Sequence, residues 1–107
     1  MVNKQELWQK ILIELNNYAM FLEASLVKED SASWKEYFNK VKEVYKFTEK
    51  WAANSTASDA NMVTGSITGL SRYFDEFEWD SDTYKGAKEY LVSLAMLRVD
   101  LLNAYGL

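Results

Sequence analysis

Apolar residues in this chain recur alternately four and three positions apart in four successive stretches, and no proline interrupts any of them. A helix of 3.6 residues per turn places residues at that spacing on one face, so each stretch reads as an amphipathic helix. The absence of proline fits long helices without built-in kinks. The first seam is Trp8, Leu12, Leu15, Ala19, Leu22 and Leu26, flanked by Ile11 and Tyr18. Asn3 followed by Glu6 is a capping-box pattern that opens it, and the polar run 28–31 closes it. The second seam is Trp34, Phe38, Val41, Tyr45, Thr48 and Ala52, with Tyr37, Val44 and Trp51 on its flank. Ser33 and Glu36 form the same capping pattern before it. Two such helices joined by a short polar turn predict an antiparallel αα-hairpin.

Residues 54–60 are small and polar and connect this hairpin to a second pair. The third helix has a seam of Val63, Ile67, Leu70, Phe74 and Phe77, weakened by Gly65 and Gly69 at about 1 kcal/mol each. Those glycines lie four apart. They are expected to give a neighbouring helix a flat face for close packing, in preference to a hinge or ligand contact. The fourth helix is expected to start at Ser81 or Asp82 as N-cap and to stop at Gly106. Its inward stripe is Tyr84, Ala87, Leu91, Leu94, Leu101 and Tyr105. Val92, Met96 and Val99 lie on the other side, so residues 90–102 are apolar nearly all round. A helix greasy on every face is usually central in its assembly. Either a partner or second copy covers this side, or other parts of the chain do. The expectation is one all-α domain over residues 1–107. It is an up-down-up-down four-helix bundle of two αα-hairpins, with helices at about 3–27, 33–53, 59–77 and 82–105.

Composition closes off most chemistry. The chain has neither Cys nor His. It therefore lacks the thiolate and imidazole that activate most nucleophiles and bind most transition metals. The stretch Gly65-Ser66-Ile67-Thr68-Gly69 sits in a helical pattern. It has neither the strand-turn-helix setting of a nucleophile elbow nor a following Gly-Lys. Asp80 and Asp82 open like a calcium loop, but Lys85 stands where its glycine belongs and Leu91 where its closing glutamate belongs. No catalytic residue, cofactor site or metal site is expected. Arg98, inside the greasiest helix, reads as a partnered buried or interface cation.

The N-terminus enters an amphipathic pattern directly, so no signal peptide is expected. Residues 90–102 are broken by Arg98 and Asp100 and are shorter than a membrane span, which points to a cytoplasmic chain. Charge is uneven. Residues 1–53 hold eight Lys and eight acids, whereas residues 54–107 hold four basic residues and eight acids, carrying all the net charge of −4. Asp75, Glu76, Glu78, Asp80 and Asp82 crowd the link between the third and fourth helices. Asp80 and Asp82 suit the positive end of the fourth helix, while Asp75, Glu76 and Glu78 sit unfavourably at the negative end of the third. Such a surface repels phosphate backbones and attracts basic ones. The lysines of the second helix, interleaved with Glu36, Glu43 and Glu49, read as a solvated, ion-paired face.

Three functions follow as expectations. The leading one is an acidic, non-enzymatic binding or inhibitor protein that blocks a basic surface of a protein partner. Asp75, Glu76, Glu78, Asp80 and Asp82 would make the contacts, with Trp79 as aromatic anchor. In size, charge and helix content the chain is similar to toxin-neutralising immunity proteins and phage-encoded inhibitors of host defences, with no motif tying it to either. The second is an assembly module that forms a homo-dimer through Val92, Met96 and Val99. The third is a Mg²⁺-dependent phosphohydrolase using paired acids. Neither nucleic acid nor membrane is an expected partner.

Overall fold

Each helix begins where a side chain can satisfy its free N–H groups, and in a computed structural model those caps define the elements. The structure describes residues 3–52, 54–76 and 81–107. Helix α1 spans Lys4–Glu29, α2 Ala32–Trp51, α3 Ala57–Asp75 and α4 Ser81–Tyr105. Asn3 caps α1 by accepting from the Gln5 N–H at 2.9 Å. Glu6 is not part of a two-way box there. Ser31, not Ser33, caps α2 by accepting from the Trp34 N–H. The two-residue turn Asp30–Ser31 leaves Ser33 already helical, which is why the downstream pattern misled. The reciprocal box forms instead at α3, where Thr56 and Asp59 each bond the other's backbone N–H.

Helix α1 stops when Asp30 takes the left-handed conformation (φ 38°) and sends its N–H to the Leu26 carbonyl at 2.8 Å. Aspartate is among the few side chains that tolerate this region. At the far end Gly106 has φ +73°. Its N–H meets the Asn103 carbonyl and that of Leu107 meets the Leu102 carbonyl, the two bonds of a Schellman stop.

The helices pack as an antiparallel square, 40 × 21 × 18 Å, in which α1 touches α2 and α4, and α3 touches the same two. The α1–α2 turn, the end of α3 and the start of α4 share one end of the bundle. The α2–α3 connector and both termini share the other. The core is built from the expected stripes, but that of α1 is turned. Ile11 and Tyr18, on the flank of the sequence seam, are fully buried together with Leu7, while Leu12 is only half-buried. A bundle core takes a stripe of about 100° or more, wider than a heptad seam.

The buried tyrosine hydroxyls of α1 and α2 are paired. Tyr18 Oη donates to Tyr37 Oη at 2.6 Å, and Tyr37 Oη donates to the Leu70 carbonyl at 2.9 Å, linking α1, α2 and α3. Burial pushes both phenols far above their usual range. Near the termini the Trp8 indole donates to Tyr105 Oη at 2.9 Å, and Tyr105 Oη bonds Ser55 Oγ. That chain ties α1, α4 and the α2–α3 connector together.

The glycines overturn the close-packing expectation. Gly65 and Gly69 are exposed, and an added Cβ would meet nothing within 4 Å. The close approach occurs at Gly86, where a Cβ would lie 2.5 Å from the Phe21 ring. Gly65→Ala and Gly69→Ala should therefore each stabilise the protein by about 1 kcal/mol, the helix-propensity gain. Gly86→Ala should destabilise by about 1 kcal/mol, the same gain being outweighed by displacement of Phe21. Thermal denaturation of the three variants checks this. A lower midpoint for Gly65→Ala would mean that the outer face of α3 is packed.

Candidate functional site

Two surfaces stand out, one charged and one apolar. The charged one is the end of the bundle that carries the α1–α2 and α3–α4 turns. Asp75 and Glu76 close α3, Asp82 lies in the first turn of α4, and all three are exposed. Glu78, Trp79 and Asp80 lie outside the described residues, as does Phe77.

Folding adds carboxylates that the sequence reading did not place there. The α1–α2 turn brings exposed Asp30 and Glu36 to the same end. Asp30 is ion-paired with Lys35 at 3.0 Å, a pair exposed on both sides and of small energetic weight. Glu36 hydrogen-bonds Tyr73. Desolvation, that bond and the charges of Glu36 and Glu76 together raise the Tyr73 phenol above its ordinary value. The Tyr73 ring stacks on Tyr37 at 5.4 Å, and Lys40 Nζ sits 3.9 Å from its centre. The buried Tyr18–Tyr37 pair thus braces the floor of the acidic end. At its edge, Phe21, Lys28 and Asp82 line a small groove between α1 and α4.

Among the described residues no three carboxylates converge closely enough to hold a metal ion. The described acids of the two helix pairs stay spread over an exposed surface.

The apolar surface is the outer side of α1 and α4. Val92, Met96 and Val99 are exposed, Met96 at 66%. The described residues leave this side of α4 exposed. Sequence reasoning missed the α1 contribution. Ile13, Met20 and Val27 are exposed too, Val27 at 84%, and they lie seven apart in one line along α1. That regular spacing outside the buried seam was the available signal. Among the described residues, α2 exposes no large apolar side chain in this way.

Arg98 is half-buried between α3 and α4. One of its terminal nitrogens donates to Thr68 Oγ1, while Nε is buried without a partner. Asp100, two residues on, is exposed and points elsewhere, as its spacing required.

Fold and surfaces together define the chain as an all-α four-helix bundle with an acidic end and an apolar flank. No helix among the described residues is long and apolar enough to cross a membrane. Compared with protein-family models, curated proteins and solved structures, the chain has no match.

Proposed function

We propose that this protein is a non-enzymatic binding module that captures a basic surface of a protein partner with the acidic end of its bundle. One observation carries the reading. Exposed carboxylates from two separate turns, Asp30 and Glu36 from one and Asp75, Glu76 and Asp82 from the other, collect at the same end. An excess of one sign on a rigid support, moderated here by Lys28 and Lys35, speeds encounter with an opposite field and disfavours like-charged surfaces. Occupying a basic site that the partner needs for nucleic acid or substrate is then inhibition by exclusion. This is the mode of action of an inhibitor or immunity-type protein.

The test uses the partner recovered from the native host. A variant carrying Asp75→Asn, Glu76→Gln, Glu78→Gln, Asp80→Asn and Asp82→Asn should fold normally and bind that partner at least tenfold more weakly at low salt, a loss of about 1.4 kcal/mol or more. Its affinity should also respond less to ionic strength than that of the wild type. Equal affinity with an unchanged salt dependence would sink the proposal.

A further inference from the structure

The flank of α1 and α4 is a continuous apolar surface with a charge pattern that complements itself. Ile13 and Met96 face each other across a groove of about 310 Å³ rimmed by Lys10, Glu14 and Asp100. Ser93 joins it to a second groove that runs past Val92 to Lys88, Glu89 and Lys85. The rim carries both signs in balance, unlike the acidic end. A strongly basic or strongly acidic partner finds no complementary field on it.

The order of charges along α4 selects an occupant. Lys85, Lys88 and Glu89 precede Val92 and Met96, with the two lysines outweighing the one acid, and Asp100 follows them. All four charged residues are exposed, and neither Lys88 nor Asp100 makes an ion pair among the described residues. Placing a second α4 antiparallel to the first, with a two-fold axis level with residue 94, sets Lys88 against the partner subunit's Asp100. It also sets Val92 against the partner subunit's Met96. Symmetry makes each contact twice. The same arrangement sends the two acidic ends to opposite extremes of a long axis of 40 Å, far beyond a screening length of about 8–10 Å. A parallel pair would bring them together.

We infer that this flank docks a second copy of the chain, as a two-fold antiparallel dimer centred on Val92 and Met96 with Ile13 at its edge. Dimerisation leaves both acidic ends free, so it is independent of partner capture.

Sedimentation velocity on the purified full chain tests it. Wild type should pass from monomer to dimer as concentration rises. Met96→Glu should remain monomeric with unchanged helicity. Lys88→Glu and Asp100→Lys should each weaken the dimer about tenfold, because every pair occurs twice. The double variant Lys88→Glu/Asp100→Lys should recover dimerisation, since the charges are exchanged and still opposed. A wild type that is monomeric at every concentration overturns the inference and leaves the flank to a different protein. A dimer that survives Met96→Glu overturns it as well, by placing the interface elsewhere. Failure of the double variant to recover overturns the antiparallel register.

Discussion

Raising the pH above about 10 should unfold this bundle, because two buried phenols must keep their protons for the core to survive. Tyr18 and Tyr37 are fully buried, and desolvation is the largest cause holding both pKa values far above the ordinary phenol value. In the unfolded chain both titrate near 10. Below that pH folded and unfolded states bind the same phenolic protons, and the full stability is present. Above it the unfolded state releases protons that the native state retains, so stability falls. Each retained proton costs about 1.4 kcal/mol per pH unit, and the pair about 2.7 kcal/mol per unit. Two pH units would remove about 5 kcal/mol, the whole of a stability at the lower end of the usual range of about 5–15 kcal/mol. Helical circular dichroism should therefore collapse in the same interval in which these two phenolates appear in the ultraviolet. Tyr18→Phe and Tyr37→Phe should each halve the slope of stability against pH. At neutral pH the two differ. Tyr37→Phe leaves the Tyr18 hydroxyl without its acceptor and should cost about 1–3 kcal/mol, whereas Tyr18→Phe leaves Tyr37 still donating to Leu70 and should cost less. A pH slope unaltered by either substitution would show that other groups drive alkaline unfolding.

How much of this could be read beforehand depends on whether a feature belongs to one helix or to two. The four helices and the inward stripe of α4 are periodicities of single segments, and the observed elements fall within two residues of the expected ends. The outward face of the α3 glycines is legible on the same grounds. The phase set by Val63, Ile67 and Leu70 puts Gly65 and Gly69 on the opposite side of α3, so their shared face had to point outward. Gly86 could not have been picked out. Its role is set by Phe21 on another helix, and nothing in its own neighbourhood names that ring. The Tyr18–Tyr37–Leu70 relay and the Trp8–Tyr105 bond join residues 19 to 97 positions apart and are equally invisible to a local pattern. The candidate surfaces divide in the same way. Asp75, Glu76 and Asp82 were legible as a charge cluster, but Asp30 and Glu36 join them only because an up-down-up-down topology returns both turns to one end. Val92, Met96 and Val99 were legible as surplus apolar residues. Ile13 counts with them only because α1 packs beside α4.

Trp8→Ala should be the most damaging single truncation in the protein, lowering stability by about 3–5 kcal/mol. Trp8 is fully buried, and two kinds of contact with Tyr105 meet on it. Its ring packs edge-on against Tyr105, with centroids 6.5 Å apart and planes at 79°. Its indole N–H holds the Tyr105 hydroxyl, which also bonds Ser55 in the α2–α3 connector. Lys4 Nζ lies 4.3 Å from the centre of the same Tyr105 ring, so the first turn of α1 is anchored there too. Alanine would open a cavity and release the last turn of α4 and the connector together. Two milder variants separate volume from hydrogen bonding. Trp8→Phe keeps most of the packing and leaves Tyr105 its bond to Ser55, so the loss should be near 1–2 kcal/mol, within the range of ordinary core substitutions. Tyr105→Phe keeps the ring but orphans the indole N–H in a dry site, at about 1–3 kcal/mol. Urea unfolding should show the midpoints falling in the order wild type, Trp8→Phe, Trp8→Ala, with a constant denaturant slope. If Trp8→Ala cost no more than Trp8→Phe, this end of the bundle would have to owe its stability to something other than Trp8. The acidic end, more than 60 residues away along the chain at Asp75 and Glu76, should keep its partner binding in Trp8→Phe, because that variant leaves the Tyr37–Tyr73 floor untouched.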